Sequence, residues 1–113
     1  MWDNHLRDAV TTMTERRKLP RSRIDILFNA FQDGLPALCA GHDVSEGGIG
    51  LRTLHDTRRS SLGAVEVEFE LPGTEGVIFA RGMLRTSGGR AAVVFESLPE
   101  SSRRLIAEYV AAA

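Results

Sequence analysis

Apolar and polar residues alternate with a period of two along most of the chain, which is typical of half-buried β-strands. The clearest stretch is 65–71, where a glutamate stands at every second position between apolar residues. The same alternation begins at Arg23 and continues through Phe28. We predict six strands, at approximately 23–29, 35–44, 49–54, 65–71, 77–85 and 90–96.

Turn-forming residues separate these predicted strands. Asp33-Gly34 is a hairpin signal, and 45–48, 72–76 and 87–89 each combine glycine with polar residues or proline. The strand 35–44 is expected to be interrupted around Pro36 and Gly41, because both residue types weaken a strand. Residues 55–63 are expected to form a polar loop.

A helical period flanks the strands on both sides. An apolar stripe between residues 2 and 18 predicts an amphipathic helix that Pro20 ends. At the other end, Ser97 and Glu100 form a capping-box pattern that would open a second helix. The apolar residues of that second helix are Leu105, Ile106, Tyr109 and Val110.

Six short strands with a helix at each end predict a mainly β fold, a small antiparallel barrel. The C-terminal helix is expected to cover one open end of the barrel. A length of 113 residues is close to that of a typical single domain. We therefore divide the chain into an N-terminal helix, 1–14, and a barrel domain with its C-terminal helix, 15–113.

The distribution of charge is more informative than its sum. A net charge of −1 means that the overall electric field of the protein does not attract polyanions. Residues 1–23, however, hold six cations against three anions, so an anion site is expected in the N-terminal quarter. With no apolar run of roughly 18 residues and no signal-peptide pattern at its start, we expect a cytoplasmic protein that does not enter a membrane.

Metal binding and catalysis find little support in the sequence. Cys39, the single cysteine, excludes an internal disulfide and is expected to be a small buried residue. The three histidines are well separated, so a zinc site is not expected. A triad of His42, Asp43 and Ser45 is disfavoured, because strand neighbours point to opposite faces. We predict that the protein is not an enzyme.

A basic segment at 16–21 reads Arg-Arg-Lys-Leu-Pro-Arg. Arginine can hold a phosphate through two donors, donate twice to the Hoogsteen edge of guanine, or stack on a base. Arg16, Arg17 and Arg21 are therefore candidate ligand residues. The alternative is an ordinary solvated basic surface.

A second cluster at 43–48 reads Asp-Val-Ser-Glu-Gly-Gly. Asp43 can accept from the amino and imino groups of guanine, and Ser45 can donate to a phosphate oxygen. Gly47 and Gly48 can let the backbone approach an anion closely or adopt a positive φ. The alternative is a plain turn in which the glycines only provide the bend.

In their order and spacing, these two clusters resemble the motifs of the PilZ domain family. That family carries R-x-x-x-R just before the first barrel strand, matched by Arg17 and Arg21. It carries D/N-x-S-x-x-G some twenty to thirty residues later, matched by Asp43, Ser45 and Gly48. The resemblance extends from about residue 15 to residue 110 and includes the predicted strands.

The resemblance implies a six-stranded barrel that binds cyclic di-GMP, a bacterial second messenger, and needs no other cofactor. Arg17 and Arg21 would hold guanine edges and phosphates, Asp43 a guanine, and Ser45 a phosphate or base, while Gly48 would permit close approach. Arg16 is a candidate for stacking on a second, intercalated nucleotide; the alternative is a solvated charge.

As a receptor, the chain would order its arginine-bearing segment on binding and signal to a partner protein. The oligomeric expectation is a monomer or weak homodimer. One alternative is a PilZ-like adaptor that docks partners without nucleotide. Another is a small barrel that binds single-stranded nucleic acid, which is less favoured because such sites need aromatic platforms.

Overall fold

The computed structural model describes residues 19–56, 63–87 and 90–112. In this part the chain forms a closed barrel in which all neighbouring strands are antiparallel and follow the order β1-β2-β3-β6-β5-β4. The elements are β1 (Arg21–Gln32), β2 (Leu35–Ser45), β3 (Gly48–Asp56), β4 (Gly63–Phe69), β5 (Ile78–Ser87), β6 (Arg90–Ser97) and the helix α1 (Glu100–Ala112).

The predicted six-stranded antiparallel barrel with a C-terminal helix is therefore confirmed. The predicted N-terminal helix lies outside the described residues, and the division into 1–14 and 15–113 stays a prediction. Within the described ranges, no helix is both long and apolar enough to cross a membrane.

The hairpin between β1 and β2 is built as predicted. Asp33 and Gly34 have φ values of 52° and 78°. Positive φ at both central residues is the feature of the tight turn whose twist matches the flanking strands. The last hairpin pairs Ser87 with Arg90, so two residues join β5 to β6, and both lie outside the described residues.

The strand β2 differs from the prediction, because it runs without a break through Pro36 and Gly41. Its irregularity is a change of register instead: the pairing with β3 shifts between Gly41 and Asp43. Pro36 is tolerated close to the strand's beginning, where it is exposed. The strand β3 continues to Asp56, so the predicted polar loop begins later than expected.

The alternating residues form the barrel core. Along 65–71 the apolar side chains are buried and the three glutamates are exposed, as the pattern predicts. Phe28 and Phe69 meet across the core, with ring centroids 5.8 Å apart and planes tilted by 54°. Burying one such side chain contributes about 1.5–3 kcal/mol, so these contacts fix which face of each strand points inward.

In β1 the predicted alternation is kept, although the pairing with β2 shifts in register between Arg23 and Ile26. Ile24 and Phe28 are buried and Ile26 is half-buried, whereas Leu27 on the opposite face is 66% exposed. Cys39 of β2 is fully buried, and its thiol donates to the carbonyl of Ala37 at 3.5 Å. The expectation that it is a small buried residue is confirmed.

The helix α1 starts later than the capping-box pattern suggested. Its first hydrogen bond runs from the N–H of Arg103 to the carbonyl of Pro99 at 2.9 Å. Ser97 cannot serve as the cap, because it is held in β6 opposite Arg81. The capping-box prediction therefore places the start of the helix two residues too early.

The apolar stripe of α1 packs on the barrel as predicted. Ile106 is fully buried in the core, and Leu105, Tyr109 and Val110 pack against it. Ser102 is buried too, and its hydroxyl oxygen accepts a hydrogen bond of 3.2 Å from the backbone N–H of Phe79 in β5. This bond satisfies a backbone donor and fixes the helix to β5.

Candidate ligand-binding site

Strand pairing brings the two sequence clusters together. Arg21, the first residue of β1, is the register partner of Ser45, the last residue of β2. Ser45 is in turn opposite Gly48, the first residue of β3. We call the residues Arg21, Asp43, Ser45, Gly47 and Gly48 the rim site, because they lie where these three strands begin or end.

Arg21 and Asp43 form the charged centre of the rim site. The Nη1 atom of Arg21 lies 3.9 Å from Oδ2 of Asp43, and the two side chains are 37% and 26% exposed. This distance is longer than a hydrogen bond, so the carboxylate does not occupy the guanidinium donors. A pair this open to water contributes little to stability and can separate at small cost.

The carboxylate of Asp43 is held from its other side by the backbone. Its Oδ1 accepts a hydrogen bond from the N–H of Gly50 at 3.2 Å. A Cβ atom at position 50 would lie 2.7 Å from that same oxygen, so only glycine leaves room for the carboxylate. Sequence reasoning missed Gly50, although an isolated glycine within a strand is a known sign of close approach.

His42 is placed differently from the prediction. Strict alternation would put it on the opposite face from Asp43, but the register shift makes His42 an extra residue in β2. Its Nδ1 consequently lies 3.6 Å from Oδ2 of Asp43, with the imidazole 55% exposed. The geometric reason given against a His42–Asp43 contact is therefore wrong.

Ser45 shapes the turn that follows it. Its hydroxyl oxygen accepts a hydrogen bond from the N–H of Gly47 at 3.1 Å, and the residue is only 1% exposed. The carbonyl of Gly47 accepts from the N–H of Phe95 in β6 at 2.9 Å, which fixes the turn to the barrel. A buried hydroxyl in this role is a poor nucleophile, so the triad interpretation remains unsupported.

The two glycines of the motif do not use left-handed backbone. In the described part, the glycines with positive φ are Gly34, Gly63, Gly73 and Gly76. The sequence suggested that Gly47 and Gly48 either let the backbone approach an anion closely or adopt a positive φ. The second alternative is wrong, and the first is still open. Gly48 is buried between its register partners Ser45 and Val94.

Two further residues complete the surroundings of the site. Arg103 of α1 lies 3.8 Å from the carboxylate of Glu46, so the helix reaches the turn next to the rim site. Ser22 follows Arg21, is 6% exposed, and its hydroxyl has no hydrogen-bond partner in the described part of the chain. Arg16 and Arg17 lie outside the described residues.

The comparison with protein families identifies the fold. The family model of the PilZ domain matches residues 15–112, which is most of the chain. The protein therefore belongs to the PilZ domain family. Comparisons with curated proteins and with solved structures found no match.

Membership of this family defines the general class of activity. PilZ domains generally bind cyclic di-GMP and interact with effector proteins, and they are binding or adaptor domains without enzymatic activity. Among the described residues, His, Cys, Asp and Glu side chains form no group that could hold a metal ion.

Proposed function

We propose that this chain is a single-domain cyclic di-GMP receptor that binds the nucleotide at the rim site and signals to a partner protein. The observation that carries the proposal is the position of Arg21 and Asp43, which lie 3.9 Å apart on neighbouring strands. A cation for phosphate and an acceptor for guanine thus face one small region, within a PilZ barrel.

Asp43 is suited to select guanine. A carboxylate can accept hydrogen bonds from the amino and imino groups of guanine, whereas adenine offers no imino donor there. The Gly50 N–H fixes the carboxylate through Oδ1, and Oδ2 faces Arg21. A pre-positioned acceptor loses less conformational entropy on binding than a free one.

Arg21 is suited to change partners on binding. Its long, partly exposed contact with Asp43 contributes little, so the guanidinium can turn to a phosphate or a base edge. A hydrogen bond to a charged group contributes about 1.5–3 kcal/mol. The exchange therefore favours the bound form.

Ser45, Gly47 and Gly48 support the ligand from the turn side. The hydroxyl oxygen of Ser45 accepts from Gly47, and because the residue is only 1% exposed, its O–H would reach a phosphate or base once binding opens this position to the ligand. Gly47 and Gly48 bring the backbone close to the ligand without side chains in the way. In this proposal, Arg16 and Arg17 are brought onto the nucleotide by binding, and Arg16 stacks on a second nucleotide.

Calorimetric titration with cyclic di-GMP tests the proposal. We expect binding that weakens by about tenfold or more in Arg21→Ala and in Asp43→Ala, since each loses charged hydrogen bonds. Arg104→Ala, which removes an exposed arginine of α1, is the matched control and should bind like the parent. A folded parent chain that gives no binding heat would refute the receptor function.

Two additional titrations test the finer assignments. Cyclic di-AMP should bind far more weakly than cyclic di-GMP, and this preference should shrink in Asp43→Ala. The stoichiometry tests Arg16: two nucleotides per chain, reduced to one in Arg16→Ala, would support stacking on a second nucleotide. A parent stoichiometry of one would end that part of the proposal.

A nucleotide-independent adaptor is the second candidate function. It is favoured by an exposed aromatic ring, Phe79, which is 52% exposed on the outside of β5. If cyclic di-GMP produced no heat and the protein still bound a partner through that surface, the adaptor would be the correct assignment.

A further inference from the structure

A groove of about 520 Å³ lies on the outer surface of the barrel, on β4 and β5. It is bordered on one side by β1 and on the other by the connection between β6 and α1. We call the outward side chains that line it the acidic face: Phe31, Glu66, Glu68, Phe79 and Arg81.

The register of the strands brings these side chains together. Phe31 of β1, Glu66 of β4 and Arg81 of β5 form one row across three strands. Glu68 and Phe79 are partners in the next row. The acidic face thus places two aromatic rings beside two carboxylates.

Phe79 is held outward by its strand. Its chain neighbours Ile78 and Ala80 are buried, and its backbone N–H donates to Ser102 of α1 at 3.2 Å. The ring is nevertheless 52% exposed, so the hydrophobic gain from burying its exposed part is still available to a partner.

The charge of the face selects the kind of partner. Glu66 is paired with Arg81 at 2.7 Å, which makes a neutral pair. Glu68 forms no ion pair or hydrogen bond within the described ranges, so it leaves one uncompensated negative charge beside the ring of Phe79. A phosphate-rich surface, such as nucleic acid or anionic lipid, would be repelled there.

The closed barrel restricts how a partner can bind. At the acidic face, 66–68 pairs with a strand on both sides, and the backbone N–H of Phe79 is bonded to Ser102, so few backbone groups are left there for a partner that would extend the sheet. Recognition at the acidic face must therefore use side chains. A segment with apolar side chains for Phe79 and a cation for Glu68 fits both requirements.

We propose that the acidic face is the docking site for a partner protein, which presents an amphipathic segment with lysine or arginine beside apolar side chains. The signalling role of this contact rests on the proposed receptor function, because the partner would be the recipient of the nucleotide signal. The contact itself needs no nucleotide.

A pair of synthetic helical peptides tests the docking surface on the full chain without nucleotide. One peptide repeats leucine and lysine with a helical period, and the other has glutamate in place of every lysine. Titrations followed by ¹H–¹⁵N NMR should show shifts at the amides of 66–68 and 79–81 with the lysine peptide alone. Shifts located elsewhere, or equal binding of both peptides, would overturn the proposal.

Charge reversal makes the test specific. Glu68→Lys should weaken the lysine peptide by about tenfold and create binding of the glutamate peptide, since like charges replace opposite ones. Glu75→Lys changes the net charge equally at an exposed position outside the groove, and should bind like the parent. If both variants weaken binding of the lysine peptide alike, the peptide responds only to the net charge of the protein, and the proposal is wrong.

Phe79→Ala separates the partner from a second copy of the chain. We expect weaker binding of the lysine peptide and an unchanged sedimentation profile. A parent dimer that Phe79→Ala converts to a monomer would assign the face to self-association and overturn the proposal. The peptide titration is performed without nucleotide and then repeated with saturating cyclic di-GMP. If the chain did not bind cyclic di-GMP, the receptor proposal would fail, whereas the peptide result would still stand, so the two proposals fail separately.

Discussion

The rim site and the acidic face share the strand β1 but are built in different ways. The rim site depends on an irregular register, in which the extra residue His42 brings a second side chain to Asp43. The acidic face depends on regular rows across β1, β4 and β5. An irregular strand can collect side chains that alternation would separate, whereas a regular sheet arranges its outward side chains in rows across the strands.

The charged pairs of the two regions also differ, in the distance between their charged groups. Arg21 and Asp43 are 3.9 Å apart, which leaves the guanidinium donors available to a ligand. Glu66 and Arg81 are 2.7 Å apart and neutralise each other, so the charge available to a partner is that of Glu68. We infer that the rim site exchanges ion pairs on binding, whereas the acidic face adds new ones.

The largest expected loss of stability comes from a glycine of β5, Gly82, which follows Arg81 of the acidic face. A Cβ atom at Gly82 of β5 would collide with the carbonyl oxygen of Val94, which is backbone and cannot turn away. Gly82→Ala should therefore lower the free energy of unfolding by about 3 kcal/mol. Urea denaturation measures this loss.

A suitable control for Gly82→Ala is Gly34→Ala. Position 34 has a φ of 78° and open space around it, so alanine there should cost only about 1 kcal/mol. If the two variants lost the same free energy of unfolding, the strands β5 and β6 could move apart at position 82 more easily than their geometry implies.

Gly50→Ala should affect binding more than stability. Its Cβ would meet Oδ1 of Asp43, which can rotate away, so the carboxylate should lose its position. We expect cyclic di-GMP to bind about tenfold more weakly, with a loss of stability near 1 kcal/mol. Calorimetry and urea denaturation on the same sample check both. Unchanged affinity would show that the position of Asp43 is unimportant.

Ser22→Ala should stabilise the protein slightly. Its hydroxyl is buried without a partner in the described part, and such a group costs about 1–3 kcal/mol. Part of that gain is offset by lost packing, so the net increase in the free energy of unfolding should be about 1 kcal/mol. Thermal unfolding provides the measurement, and a decrease in Tm would mean that the hydroxyl has a stabilising role.

Arg81→Ala should give the smallest effect. Both members of the Glu66–Arg81 pair are more than half exposed, and exposed pairs contribute about 0.2–1 kcal/mol. The lysine peptide should bind about twofold more tightly, because Glu66 is then unpaired. Weaker binding of that peptide would indicate that Arg81 itself contacts the partner.

Much of the fold follows from the local sequence. Alternation along 65–71 predicted both the strand β4 and its buried side, and Asp33-Gly34 predicted the first hairpin, in which both residues have a positive φ. Local signals suffice there, because side-chain periodicity and turn conformation depend on a few neighbouring residues. The apolar stripe of α1 was predicted for the same reason.

The candidate site could be predicted only in part. The spacing of Arg21, Asp43 and Ser45 suggested that they act together, and the β1–β2 register places them on adjacent strands. The contributions of Gly50 and His42 could not be read from spacing, because they depend on where the register of β2 and β3 shifts.

The chain by itself therefore determined the strands, their inward sides, one hairpin and the motif of the family. Only the tertiary structure decided that Gly50 supports Asp43, that Ser97 stays in β6, and that Glu68 lies beside Phe79. The physical reason is that these relations join residues distant in sequence. Register, bulges and closure of the barrel fix them, and each is a property of several strands packed together.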